Sequence, residues 1–321
     1  MSTDPDGGMP RTLSPEAAFS VLGNETRIDI LRALGRSDDP LSFTELRNLV
    51  GFRQGEQFNY HLDKLVGHFV EKRDDGYALR EPGHRVIQAV VSGAVTGDPM
   101  VEPTTVDWWE CPFCGGEVVV EYAQEQLGRY CTECEGLYGD VRIPPTPFER
   151  DTYGSLQALH LPPAGVVGRT ADDALRTAFV WGYAEWLVAA HDVCPRCSAL
   201  VERAIEVCAD HEPGTMFCDE CGEQHAIQFE TRCTNCRFVL TSIASMHLVG
   251  SVEVLDFITD HGVNAISDPW DWGWEYEEEI LSTNPLRARI TFELGSEALT
   301  LTVDDELEVV EAVREPVSTG D

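Results

Sequence analysis

Lysine is nearly missing from this chain: Lys64 and Lys72 are the only two among 23 basic residues, and the other 21 are arginine. Cysteine is missing from residues 1–110 altogether, although eleven follow. There is no run of about 18 uncharged apolar residues, which excludes an ordinary membrane-spanning helix. The opening MSTDPDGGMPRTLSPE lacks the basic and apolar regions of a secretory signal. A cytoplasmic location with no membrane partner is therefore expected. No Ser-His-Asp signature, P-loop or glycine-rich dinucleotide fingerprint is visible, so the expectation is a protein without catalytic activity.

What is abundant is negative charge. Asp and Glu number 56 against 23 basic residues, a net charge of −33. Solubility alone demands neither that excess nor the exchange of lysine for arginine, and the balance resembles a haloarchaeal protein surface. An apolar content of 43% argues against a disordered acidic chain. The charge is unevenly spread. Residues 14–94 hold 10 basic and 12 acidic residues, whereas residues 95–321 hold 12 and 42. The basic residues are thus concentrated in the region that a phosphate backbone would need.

The composition shifts along the chain predict an α+β protein of several parts. These are a disordered tail (1–13), a winged helix-turn-helix DNA-binding domain (14–93), a linker (94–105), a zinc ribbon (106–140) and a Pro-rich connector (141–170). A helix with a second zinc-binding β-hairpin module (171–249) and a C-terminal helix with an antiparallel β-meander (250–321) complete it. The meander follows from alternation: Leu286, Ala288, Ile290, Phe292 and Leu294 interleave with polar residues, and Leu299, Leu301 and Val303, then Leu307 and Val309, repeat the pattern.

The N-terminal part carries capping signals. Ser14-Pro15 and Asn24 mark helix starts, and Ser42 with Glu45 forms a capping box ahead of a short helix, 43–50, that ends at Gly51. A second helix over about 54–67 places Phe58, Leu62 and Leu65 on one face and Arg53, Gln57, Asn59, Tyr60 and Lys64 on the other. Side chains of these types read base edges or hold phosphates in a major groove. In VEKRDDGYALR, Asp75-Gly76 signals a hairpin, a wing bearing Lys72, Arg73 and Arg80. His61, at the edge of the buried face, is read as a packing residue. A last helix, 82–93, has Val86, Ala89, Val90 and Gly93 on one side, a surface for a second copy.

Over residues 14–93 the chain resembles the ArsR-like winged helix-turn-helix transcriptional regulators. It resembles more closely a group of haloarchaeal proteins that join such a domain to a zinc-binding C-terminal region. The resemblance rests on NETRIDILRAL, on QFNYHLDKLVG and on a wing ending in GYALR. It implies a homodimer on a palindromic double-stranded DNA site. The metal-sensing cysteines of that family have no counterpart here, since residues 1–110 contain no cysteine.

The cysteines form five Cys-x-x-Cys pairs, at 111/114, 131/134, 194/197, 218/221 and 233/236, and the eleventh opens Cys208-x-x-His211. In a reducing compartment such pairs bind metal rather than form disulfides. Twelve ligands divide into three closed tetrahedral sites; thiolate softness favours zinc or iron-sulfur over hard cations, and structural zinc is the reading. Cys111, Cys114, Cys131 and Cys134 have a zinc-ribbon layout. The other eight ligands, Cys194, Cys197, Cys208, His211, Cys218, Cys221, Cys233 and Cys236, pair in one of two ways. In the nested way Cys194/Cys197 meets Cys233/Cys236, and Cys208/His211 meets Cys218/Cys221 across a turn at Pro213-Gly214. In the sequential way two ribbons follow each other. Unbroken strand-like runs on either side of Pro213-Gly214 favour nesting. His225 is read as a strand residue rather than a ligand.

Trp270, Trp272, Trp274 and Tyr276 alternate in PWDWGWEY, as a strand packing into the C-terminal sheet or lining an effector pocket, and Glu277, Glu278 and Glu279 read as a solvated surface. The expected function is sequence-specific transcriptional regulation with three structural zinc ions, with an effector or the transcription machinery as a further partner. Two alternatives stay open: a general initiation factor resembling transcription factor E, and a redox or nucleic-acid-processing metalloprotein.

Overall fold

The computed structural model describes residues 13–143, 148, 154–212, 217–264, 266 and 276–317. Residues 1–12 of the expected tail at 1–13, the turn at Pro213-Gly214 and Trp270, Trp272 and Trp274 lie outside the described residues. The chain divides into two compact units, 1–97 and 98–321. Among the described residues it is a mixed α+β protein with eight α-helices and four antiparallel sheets.

The first unit comprises α1 (Pro15–Leu22), α2 (Glu25–Gly35), α3 (Phe43–Val50), α4 (Gly55–Leu65), the strands β1 (Val70–Arg73) and β2 (Gly76–Leu79), and α5 (Glu81–Val91). Side chains set the helix starts. Asn24 accepts from the Arg27 N–H at 3.2 Å, and Ser42 and Glu45 exchange both bonds of a capping box, at 2.9 and 3.3 Å. Gly51, at φ 72°, ends α3 in the left-handed conformation that glycine adopts without steric cost. Ile30, Leu31, Leu46, Phe58, Leu62 and Leu65 are wholly buried at the centre.

The hairpin turns at Asp74-Asp75, one residue earlier than the Asp75-Gly76 signal suggests, because Arg73 pairs with Gly76. The glycine serves another purpose. Leu41 and Tyr77 exchange both main-chain hydrogen bonds, at 3.0 and 2.9 Å, which brings the Leu41 carbonyl so close that a Cβ at position 76 would lie 2.6 Å from its oxygen.

The second unit contains three sheets that share a main apolar core. The first sheet has the order β3 (Val101–Val106), β4 (Val118–Ala123), β5 (Gln126–Cys131), β6 (Gly154–His160). Its two outer strands come from segments expected to be a linker, 94–105, and a connector, 141–170. Pro103 misleads because proline is tolerated in an edge strand, here beside a register shift between Val101 and Thr104. GSLQALH, which forms β6, contains no proline, although prolines flank it.

Thr170 caps the long helix α6 (Ala171–Ala190), which buries Leu175, Phe179, Tyr183 and Trp186. The second sheet is β7 (Val201–Val207), β8 (Ile227–Cys233) and β9 (Val239–Ile243), followed by α7 (Ala244–Leu248) and α8 (Val252–Asp260). The third is a sequential meander of β10 (Tyr276–Thr283), β11 (Leu286–Leu294), β12 (Glu297–Val303) and β13 (Val309–Pro316). Its first strand was not expected at 276–283. There Glu278 is not a solvated residue: alternation turns it inward between the exposed Glu277 and Glu279.

Candidate metal centres and nucleic-acid interface

Three groups of four ligand residues converge: Cys111, Cys114, Cys131 and Cys134; Cys194, Cys197, Cys233 and Cys236; and Cys208, His211, Cys218 and Cys221. Within each group the ligand atoms all lie within 4.8 Å of one another. The eight ligands of the second module are thus nested rather than sequential. The reason is the β7–β8 ladder, which pairs Val201 with Cys233 at one end and Val207 with Ile227 at the other. One group forms at each end of this hairpin, separated by about 20 Å of strand.

The spacings suit a tetrahedral ion. Thiolates about 2.3 Å from a common centre sit roughly 3.8 Å apart, and a thiolate–imidazole pair roughly 3.6 Å apart. The sulfur pairs Cys111–Cys134, Cys114–Cys131, Cys194–Cys236 and Cys197–Cys233 are separated by 3.5 to 3.6 Å, and Cys221 Sγ lies 3.6 Å from His211 Nδ1. His211 Nε2 is 3.1 Å from the Gln224 carbonyl oxygen, an acceptor that puts the ring proton on Nε2 and leaves the Nδ1 lone pair facing the three sulfurs.

The cysteine pairs sit on tight knuckles. At Cys111, Cys194 and Cys218 the carbonyl accepts the N–H four residues on, at 2.8 Å in each case. That fourth residue, Gly115, Ser198 or Gly222, has positive φ. Main-chain N–H groups also point at sulfur, as from Glu133 and Cys134 to Cys131 and from Asn235 and Cys236 to Cys233, each at 3.3 Å. Donors of this kind favour the thiolate. The Cys236 N–H leads in pulling the Cys233 thiol down to about 6, and the Cys221 N–H leads in pulling Cys218 down to about 7. These three sets can bind metal ions such as zinc. A four-donor set has no open position for a substrate.

The first unit presents a different surface. On α4, Gln57, Asn59, Tyr60 and Lys64 are exposed, with Arg53 exposed in the preceding turn. Tyr60 is 58% exposed with Lys64 Nζ 5.5 Å from its ring centroid, and the Asn59 amide donates to Asp63 at 2.7 Å. On β1, Lys72 lies 5.8 Å from the Tyr77 ring and Arg73 is ion-paired with Glu71. Arg80, expected on the outer wing, is instead turned inward. Its guanidinium donates to the Gly67 carbonyl, and its N–H donates to Phe69 O at 2.9 Å, so it fastens the hairpin to the end of α4. His61 packs edge-on against Phe52, with ring centroids 5.9 Å apart. Among the described residues no helix is long and apolar enough to cross a membrane.

Several site-shaping residues escaped sequence reasoning. Gln224 donates its side-chain amide to the Gly136 carbonyl at 3.0 Å, joining the third ligand set to the first. His225 stacks on Tyr276, with centroids 4.4 Å apart and planes 7° apart. Glu278 accepts the N–H groups of Ala226 and Ile227. The only advance signal was Glu278 lying two residues after Tyr276, on the same face of a strand.

Two family models match the chain. Residues 108–309 match the Domain of unknown function (DUF7351), and residues 15–90 match the Domain of unknown function (DUF7347). No curated protein and no solved structure matches it.

Proposed function

From the premise that the chain belongs to the family described as Domain of unknown function (DUF7351), we propose that it is a sequence-specific DNA-binding transcriptional regulator with three structural zinc ions. One observation carries the DNA-binding part. Helix α4 hides Phe58, Leu62 and Leu65 completely while holding Gln57, Asn59, Tyr60 and Lys64 in solvent. A capped α3 and a left-handed glycine precede it, and a hairpin bearing Lys72 and Arg73 follows. That order is the one in which a winged helix-turn-helix offers its second helix to a major groove.

The apolar side of α5 supports a homodimer. Val86, Ala89 and Val90 remain half-buried and Val91 is 65% exposed, and Phe19 on α1 is 74% exposed. Zinc is supported by the donor chemistry, the spacings and the carbonyl partner of His211. Closed ligand sets of this kind hold a fold together rather than perform a reaction.

Selection of bound sequences from a random duplex pool, at the molar salt suited to so acidic a protein, tests the reading. Enrichment of one palindromic motif is expected. No enrichment over the input pool would end it. Occupancy of a few promoters in cells separates a regulator from a general initiation factor, which would sit at most active promoters.

A further inference from the structure

The three ligand sets are not equivalent. Cys111, Cys131 and Cys134 are part of the main apolar core of the second unit, and Cys194, Cys233 and Cys236 pack with Val201 and Phe238 in a small core of their own. Among the described residues, none of Cys208, His211, Cys218 and Cys221 belongs to an apolar cluster. Each set has one exposed cysteine, Cys114, Cys197 or Cys221, but the first two sets bury two ligands whereas the third buries only Cys218 and leaves Cys208 and His211 half-buried. The third set also has one imidazole in place of a thiolate, and hence one negative charge fewer with which to hold a cation. Both differences make it the set from which an ion escapes first.

The third set is also the best connected. The four residues from Gln224 to Ile227, which follow its last cysteine, each make a contact outside the hairpin. Gln224 reaches Gly136, whose own N–H points at Cys134 Sγ at 3.4 Å. His225 stacks on Tyr276, and Ala226 and Ile227 donate to Glu278. On the other side, the Cys208 N–H donates to Ala226 O at 2.9 Å. The strap is held in place by His211, whose ring donates to the Gln224 carbonyl. A cavity of about 710 Å³ is walled on one side by Thr132–Glu135, at the Cys131–Cys134 knuckle of the first set, and on the other by Phe217, Gly222 and Glu223, around the Cys218–Cys221 knuckle of the third.

We propose, on the zinc reading above, that the third set holds an exchangeable divalent ion, and that this ion latches the strap 224–227 to the first sheet and to β10. While the ion is held, His211 keeps the Gln224 carbonyl in place and the cavity keeps its second wall. When it leaves, His211 is freed, and the Gly136, Tyr276 and Glu278 contacts lose their anchor together. Gln224 is a positioning residue: its main-chain carbonyl meets His211, and its side-chain amide ties the strap to Gly136.

The test uses the full chain saturated with zinc. Release into a chromogenic chelator is followed over time, alongside hydrogen exchange read by mass spectrometry. One ion per chain should leave at least about tenfold faster than the other two. Its loss should coincide with faster exchange over 222–227 and 276–283, while the segments around Cys111 and Cys194 stay protected. Gln224→Ala keeps the main-chain carbonyl that meets His211 but removes the amide bond to Gly136; it should speed exchange over 222–227 in the loaded protein and hasten that one phase without changing the total at saturation. His211→Cys, which restores a fourth thiolate, should slow it. Release of all three ions in a single phase, or loss of the first ion with exchange at 276–283 unchanged, would overturn the proposal and leave the zinc reading intact. Fewer than three ions at saturation would overturn both.

Discussion

The carboxylate of Glu278, on β10, accepts the main-chain N–H of Ala226 at 2.5 Å, and a second N–H, from Ile227, reaches the same oxygen at 3.3 Å. The Tyr276 hydroxyl donates to the other oxygen at 3.1 Å. Burial outweighs these three donors and raises the Glu278 pKa to about 7. Ionisation of this group therefore costs more in the folded chain than in the unfolded one.

The sign of the pH dependence follows. A carboxyl whose folded value lies above its unfolded value favours the folded state fully below about pH 4, and that benefit is lost as pH rises through about 7. Glu278→Gln cannot ionise, and its carbonyl can still accept both N–H groups. Its stability should match that of the parent near about pH 4 and exceed it by on the order of 3 kcal/mol at about pH 8. Denaturant unfolding of parent and variant across this range reads the difference. Parallel curves would show that Glu278 is already screened by water.

On α4, Asn59→Ala and Tyr60→Ala should reduce discrimination between the selected site and random duplex, by about 1–3 kcal/mol each. Lys72→Ala and Arg73→Ala should weaken both duplexes about equally. Competition binding at fixed high salt distinguishes the two classes. Equal losses for all four variants would remove the division between reading and positioning residues. Arg80→Ala should instead lower the stability of the hairpin, because its guanidinium serves the Gly67 carbonyl.

Cys111→Ser should remove one ion per chain. The first ligand set shares a core that runs from Val106 to Leu307, so the loss should lower the unfolding midpoint of the whole second unit. The first unit has a separate core and should keep its own transition. Differential scanning calorimetry resolves the two. A midpoint unchanged in the second unit would mean that the ribbon is an independent module after all.

Arg129 is wholly buried, with its guanidinium carbon 4.7 Å from the centroid of Trp109 and 4.8 Å from that of Phe179. Its side chain also donates to Gln157. Arg129→Ala leaves a void and removes a desolvated cation from two aromatic faces, a change expected to cost on the order of 3 kcal/mol. Near-UV circular dichroism of Trp109 during unfolding measures it. A cost below about 1 kcal/mol would mean that the core refills the void.

How much of this was legible in the residues divides along physical lines. Periodicity and capping are local, so Ser42-Glu45, the buried stripe of α4 and the alternation of β11 could be read directly. The ligand groups could be read because two residues between cysteines leave little freedom in a knuckle. Strands β3 and β6 could not, since an edge strand next to prolines differs from a loop only by the partner it finds. Arg129 and Glu278 were hidden for the same reason: a charged residue goes inside only when distant groups meet it, here Trp109 and Phe179 for one and the Ala226 main chain for the other. Arg80 looked like one more wing cation, and only the nearness of the Gly67 carbonyl turns it inward.

The nesting of ligand sets around the β7–β8 hairpin also bears on the order in which the chain closes on itself. Bringing Cys197 to Cys233 spans 36 residues, whereas bringing His211 to Cys221 spans 10. The longer closure costs about 1 kcal/mol more chain entropy when both start from an open coil. Once the inner loop is tied, most of that span is already shortened, and a paired strand delivers Cys233 to Cys197. Stopped-flow uptake of Co²⁺ by the unfolded chain would see this as one thiolate absorption band forming ahead of another. On the proposed metal reading, assembly of the second module would run from the hairpin's tip toward its base, and the ion proposed to leave the finished protein first would be the one that first gives the growing chain its direction.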